Sequence, residues 1–317
     1  MKVSDLWVWD QLANLKGWSE LAANCDASPF NWPSFCLPWW YEMGWGRLMS
    51  FGVEEDGLLV GLALVYDRVR DIGRPTFCFL GSGGDTYQQV LVADGRRDVT
   101  ALLLDRLLSS GRDIELSSVP TEIAESYVGA APSDIAFVDH NAPRFIEVST
   151  DSFEPDPSSH LSSVGTVTDP AECVDLLTRP SETARWGAGT ARSQQAAFFA
   201  ATVDASVRAG RMTLFVDKIQ DEAVDGLLVL HGSRSSVVWR NVGRPGCPPD
   251  HSLVQAAMAE AAERGSHRVL WPESCRTPGQ PFALADVMRA RRRGGVLAEV
   301  PLFARSIGRS LKSYGSS

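Results

Sequence analysis

An order of elements that occurs twice dominates this sequence. Residues 211–274 read as strand, turn, strand, turn, strand, loop, helix and strand. Met212-Thr-Leu-Phe-Val216 opens the unit, and Lys218-Ile-Gln-Asp-Glu222 is a polar turn. Gly226-Leu-Leu-Val-Leu230 is a continuous apolar run, the pattern of a strand buried on both faces. Residues 235–242 form a third strand, in which Val237, Trp239 and Asn241 alternate with Val238, Arg240 and Val242. The loop Gly243-Arg-Pro-Gly-Cys-Pro-Pro249 leads to a helix over 250–264, with Asp250 as its cap and Gly265 as its stop. Val269-Leu-Trp271 is the closing strand, ended by Pro272.

The first half repeats this order. Residues 48–53, the turn Glu54-Glu-Asp-Gly57 and residues 58–66 make a hairpin, and 76–80 a third strand. Gly81-Ser-Gly-Gly84 is the loop, 98–110 the helix, Gly111 its stop, and 114–119 the closing strand before Pro120. A helix precedes each unit, over 33–43 and 193–209. A shared order of this length implies an internal duplication.

Ahead of the first unit, residues 2–9 read as a strand and 11–24 as one amphipathic helix with Leu12, Leu15, Trp18, Leu21 and Ala22 on its apolar face. Residues 126–143 are small and polar, and 144–148 add a strand. Residues 149–170, rich in Pro, Ser and Asp, have the composition of a linker. The expected division is therefore a domain over 1–150, a linker over 151–170 and a second domain over 171–317. A short helix is expected over 171–177, a helix over 281–293 and a strand over 295–304.

The totals narrow the function classes. The chain has 317 residues, 44% hydrophobic and 22% charged, enough for two cores of ordinary globular composition. No apolar run approaches the roughly 20 residues that span a bilayer, and the first residues lack a signal-peptide pattern, so the expectation is a cytoplasmic protein without a membrane partner. The six cysteines and five histidines are scattered without metal-ligand spacing, so neither disulfides nor a metal is expected. A formal charge of −9 argues against DNA binding, which draws on a basic surface. The late arginines at 289, 291, 292 and 293 read as a solvated helix end or as a small docking patch for phosphate or an acidic partner. Seven of the ten tryptophans precede position 46. They read as packing behind the hairpin or, for one or two such as Trp40, as the wall of a substrate cleft.

These residues carry a resemblance. Ser28-Pro-Phe and Trp39-Trp40 ahead of the hairpin from Val53 to Gly61, then Gly84-Asp85-Thr-Tyr87 and Leu116-Ser-Ser-Val-Pro120, resemble bacterial CelD/BcsL-type proteins. These are tandem GNAT-fold acyltransferases distantly related to the FemAB aminoacyl-transferases, which take their donor from charged tRNA. The resemblance implies an α/β (mixed α+β) fold of two tandem GNAT-like domains, each a mixed, largely antiparallel sheet flanked by helices. It implies an acyl-CoA co-substrate whose pantetheine arm lies between the third strand and the strand after the helix. The acceptor would be an amine or hydroxyl of a small metabolite or sugar. The Tyr-Lys signature of that group's second domain is missing from 271–282.

In such a fold the base candidates are Glu273, His251 and Asp85, and a main-chain N–H of the third strand serves the oxyanion. Arg240, Trp239, Arg244, Gly246, Trp40 and Tyr87 are the binding candidates. Each also has a structural reading: Glu273 as a turn residue, His251 as a first-turn helix residue, Asp85 and Tyr87 as loop stabilisers. Pro245, Pro248 and Pro249 have no N–H to offer a diphosphate, and Asp250 sets a negative charge at the helix start. Two alternatives stay open: a donor carried by tRNA or by an acyl carrier protein, and a non-catalytic binding module.

Overall fold

A computed structural model describes residues 1–68, 75–82, 86–130, 135–139, 145–151, 153, 164–178, 190–219, 222–242, 250–272, 280–289, 292–293 and 296–297. The chain begins with β1 (Lys2–Leu6), α1 (Trp9–Ala13) and α2 (Trp18–Asn24). The first strand stops three residues short of the expected end, and the single helix expected over 11–24 is two. Gly17, with φ +79°, takes a left-handed backbone between them, and a Cβ there would lie 3.3 Å from the Leu59 side chain. The amphipathic pattern survives the break, because Leu12, Trp18, Leu21 and Ala22 are all buried.

The helix α3 (Pro33–Met43) starts on a proline whose missing N–H needs no partner in the first turn. After it come β2 (Arg47–Leu48), β3 (Ser50–Glu55), β4 (Leu58–Ala63), β5 (Val65–Arg68), β6 (Thr76–Phe79) and β7 (Leu91–Val92). The expected hairpin is present, but each of its arms is divided between two sheets. The sheet order β1-β3-β4-β7 takes one end of the hairpin, and β2 and β5 pair beside β6 in another sheet. The unit ends with α4 (Arg97–Ser109) and β8 (Asp113–Pro120). Residues 126–143, read from the sequence only as small and polar, contribute the end of α5 (Thr121–Ala130) and β9 (Ile135–Asp139).

The second half holds β10 (Phe145–Ser149), β11 (Val164–Val167), α6 (Pro170–Leu177) and α7 (Thr190–Arg208). The repeated unit follows as β12 (Met212–Ile219), β13 (Glu222–His231), β14 (Ser235–Val242), α8 (His251–Glu263) and β15 (Arg268–Pro272). Most of the residues expected as a polar turn at 218–222 instead extend the hairpin. Then come β16 (Gln280–Phe282), β17 (Leu284–Arg289), β18 (Arg292–Arg293) and β19 (Val296–Leu297). The helix expected over 281–293 is thus a run of strands. Ala, Leu, Met and Arg favour a helix locally, but the open edge of β8 takes up β17 as a ladder partner, and tertiary pairing overrides the propensity.

The fold is mixed α/β, with largely antiparallel sheets flanked by helices in two units of similar element order. A seven-stranded sheet runs β11-β12-β13-β14-β15-β10-β16, and a six-stranded sheet runs β2-β5-β6-β8-β17-β9. The units exchange strands. β10, from the first half, pairs antiparallel with β15, and β17, from the second, pairs antiparallel with β8. The helices that lead each unit, α3 and α7, pack together, with Phe35 and Phe198 edge-to-face at 5.5 Å. One apolar cluster accordingly draws Phe35, Tyr87, Phe145, Phe198, Trp239 and Phe282 from both halves.

Candidate functional site

The site is built by two parallel strands that start together and separate. β14 and β15 pair at Ser235↔Arg268, Ser236↔Val269 and Val237↔Leu270 and no further. β14 runs on to Val242, still paired with β13, while β15 keeps its full ladder with β10 as far as Phe145↔Pro272. The two strands therefore become the arms of a wedge opening beyond Val237 and Leu270. A bulge marks the opening: Leu228 faces Arg240 and Val229 faces Val238, leaving Trp239 as the extra residue. A bulge bends its strand and takes main-chain groups out of the ladder.

Side chains line the arms on two faces. Val238 and Trp271 pack with Leu253, Ala257 and Met258 of α8. Trp239 points the other way, stacked on Phe199 at 4.8 Å and 21°, with Phe35 at 5.5 Å and Phe198 at 6.0 Å. It is 6% exposed, so it is a structural anchor of the bulge as much as a wall of the wedge. Arg240 is exposed, with its guanidinium 5.1 Å from the centroid of Phe199.

At the open end lies the start of α8. The Asp250 carboxylate accepts from the Ser252 N–H at 2.8 Å and the Ser252 hydroxyl at 2.6 Å. These bonds hold it below the usual carboxylate range. The cap read from the sequence is in place, and it puts an ionised carboxylate on the positive end of the helix. Asp225, on β13 beside the Gly226↔Val242 pair, is a half-buried carboxyl pushed up by burial and by the neighbouring Asp250 and Asp217. Its Oδ1 accepts from the Gly226 N–H at 2.9 Å. Three carboxylates thus surround this corner, and Asp225 was not among the candidates read from the sequence.

The other candidates separate. His251 is exposed on the first turn of α8, with Nε2 3.5 Å from the side-chain nitrogen of Gln255. Tyr87 is 2% exposed, packed against Phe30, Phe145 and Phe282, and burial pushes its hydroxyl up to about 12. Trp40 is half-buried with its ring 5.8 Å from Tyr66. Glu273, Asp85, Arg244 and Gly246 lie outside the described residues.

At the closed end of the wedge lies a buried polar cluster. His231 Nδ1 is 3.0 Å from the Ser236 hydroxyl and Nε2 is 3.0 Å from the Thr213 hydroxyl. Ser236 reaches Ser266 at 2.9 Å, and the Thr150 hydroxyl donates to the Ser266 carbonyl. Burial, reinforced by Arg264 and Arg211, lowers His231 to about 3, so its ring is neutral, with one nitrogen donating and the other accepting. Cys25, Cys36, Cys78 and Cys173 are buried. Among the described residues no His, Cys, Asp or Glu cluster could hold a metal ion, and no helix is long and apolar enough to cross a membrane.

No protein-family model matches the chain, and no curated protein matches it. Solved structures do. FemX aligns over 96% of this chain and 93% of its own, with a TM-score of 0.58 and 10% identity. A conserved protein of unknown function from Bacteroides thetaiotaomicron aligns over 91% and 100%, at 0.55 and 11%. The C-terminal domain assigned to a lysylphosphatidylglycerol synthetase of Agrobacterium fabrum aligns over 90% and 93%, at 0.53 and 8%. At these identities the likeness is one of fold, and it extends over both repeated units.

Proposed function

We propose that the chain is an acyltransferase, with the donor's extended arm entering the wedge between β14 and β15. The observation that carries this is the parallel pair that stops at Val237 and Leu270 beside a bulge at Trp239. Separated strand edges offer main-chain groups to an amide-bearing arm such as pantetheine. A main-chain N–H at the bulge would donate to the carbonyl oxygen on which charge develops.

The acceptor is an amine or hydroxyl of a small metabolite or sugar. Its nucleophile gives a proton to a base and attacks the donor carbonyl. The new C–N or C–O bond forms, the C–S bond breaks, and the thiol leaves with a proton returned from the base. Glu273 directly follows Pro272, the last residue of the β15 arm, and is the base we assign. His251 and Asp85 are the alternatives. Arg240, Arg244 and Gly246, on or just after the β14 arm, would meet donor phosphates. The narrower kinship with CelD/BcsL-type proteins belongs to this proposal and rests on the sequence pattern.

Thermal unfolding with acetyl-CoA, longer acyl-CoAs and free CoA tests the donor. A rise of several degrees supports the thioester reading, and no shift with any of them removes it. A second reading has its own observation: Asp250 and Asp225 flank the helix end where a diphosphate would sit. That corner repels a CoA diphosphate and suits a donor arm carried by tRNA, as FemAB-type transferases use, or by a carrier protein. Transfer of label from bulk aminoacyl-tRNA, with no response to CoA, would select it. Absence of transfer from every donor class would leave a binding module.

A further inference from the structure

The first half carries the same wedge, but there the space between the arms is taken. β6 and β8 pair in parallel only at Thr76↔Asp113 and Phe77↔Ile114. Beyond that point the chain itself runs between them, at residues 86–90. The Gln88 main-chain N–H donates to the Ser118 carbonyl on β8 at 3.0 Å. Its side-chain amide donates to the Leu80 carbonyl, just past the end of β6. One residue thus bonds both arms.

The neighbours fix it there. The Gln88 side chain also donates to the Phe30 carbonyl at 3.1 Å, and the Ser28 hydroxyl donates to the Tyr87 carbonyl at 2.7 Å. Asn31 brackets Gln89, accepting from its N–H at 3.1 Å and donating to its carbonyl at 3.2 Å. The Val90 N–H donates to the Tyr127 hydroxyl oxygen at 2.7 Å. All five residues are buried. Gly81, at φ +84°, passes so close that a Cβ would lie 2.6 Å from Gln88 Nε2. The connections differ accordingly. Residues 80–96 separate β6 from α4, whereas β14 reaches α8 through the much shorter 243–250. Among the described residues no segment bonds both arms of the second wedge.

We infer that residues 86–90 are a built-in occupant of the first wedge. They hold by hydrogen bonds the slot that a donor arm takes in the second, so the chain admits one donor, between β14 and β15 alone. The inference rests on the reading of the wedge as a donor slot, and its test separates the two. Hydrogen exchange on the full chain without ligand reads the occupant. The amides of Gln88, Gln89 and Val90 exchange about 100-fold or more slowly than those of the exposed Asp56-Gly57 turn. Exchange at the turn's rate overturns the inference whatever the donor is. In Gln88→Ala, protection falls at 88–90 while Val237 and Leu270 keep theirs, and unchanged protection at 88–90 also counts against it. Calorimetric titration with acetyl-CoA then gives one site per chain, with added protection at 238–242 and none at 116–119. Two sites, or protection at 116–119, overturn the inference. No binding with slow exchange at 88–90 removes the CoA donor and leaves the occupied first wedge standing.

Discussion

His231 gives this protein an acid sensitivity that begins above the range in which carboxylates titrate. Buried between the Ser236 and Thr213 hydroxyls, it falls from an ordinary 6.5 to about 3 in the folded chain. Below pH 6.5 the unfolded chain binds a proton that the folded chain refuses, so stability falls as pH falls, and the loss is complete only near pH 3. For one group with these values, the loss between pH 7 and pH 5 is about 2 kcal/mol. The ionised Asp250 contributes in the same direction only as pH falls through its own lowered value. Asp225, raised by burial, works in the opposite sense, since acid relieves its buried charge. Both are common to a His231→Gln variant, which keeps an amide that can donate and accept but cannot titrate. Urea unfolding of the two proteins at pH 7 and pH 5 isolates the histidine. The wild type should lose about 2 kcal/mol more than the variant over that interval. Equal losses would refute the argument, as would His231 ring resonances that move with pH between 5 and 8.

Three further outcomes follow from packing and charge. Arg112→Ala should cost about 3–5 kcal/mol in urea unfolding, because Asp67, 1% exposed and 2.8 Å from Arg112 Nε, is left charged and buried; adding Asp67→Asn should recover much of that. Gly61→Ala should cost about 1–3 kcal/mol, since the new Cβ would lie 2.4 Å from Val99 Cγ1 where α4 crosses β4, and a smaller loss would mean that the helix moves freely. Asp250→Ser keeps a capping oxygen and removes a charge, so stability should change by less than about 0.5 kcal/mol while affinity for acetyl-CoA rises about 2- to 5-fold; unchanged affinity places the diphosphate elsewhere.

Much of the fold was legible because the repeated unit is written in local signals. Apolar runs, the Asp250 cap and stopping glycines marked β13, β14 and α8 to within a few residues, and the same signals marked α3 and β6. What was hidden depends on distant partners. Nothing near 281–289 tells a helix from a strand, since β8 decides the matter from more than 160 positions away. Of the site, Trp239 and Asp250 were visible by position. The bulge was not, because it is a mismatch of register between two strands. Gln88 was passed over for its neighbours Asp85 and Tyr87. A buried glutamine in a loop looks like solvated polarity until both of its bonding partners are placed. Asp225 was missed for the same reason: only the fold brings Asp217 and Asp250 to it.

The strand exchange bears on how each wedge stays open. A strand that parts from one neighbour needs its other edge held, or it collapses back or pairs with another chain. β15 is held along its whole length by β10, and β8 is held in the same antiparallel sense by β17. Each half therefore supplies the strand that braces the other's wedge, with Phe145 set against Pro272 and Leu284 against Pro120. Duplication with exchange makes the two wedges mechanically interdependent while leaving their interiors free to diverge. The first is filled by its own chain and becomes rigid core. Tyr87 of that segment packs on Phe145 of β10 and Phe282 of β16, both in the sheet that carries the second. A filled first wedge is then part of what keeps the open one in shape, and loosening residues 86–90 should be felt at β10 and β16 before it is felt at β14.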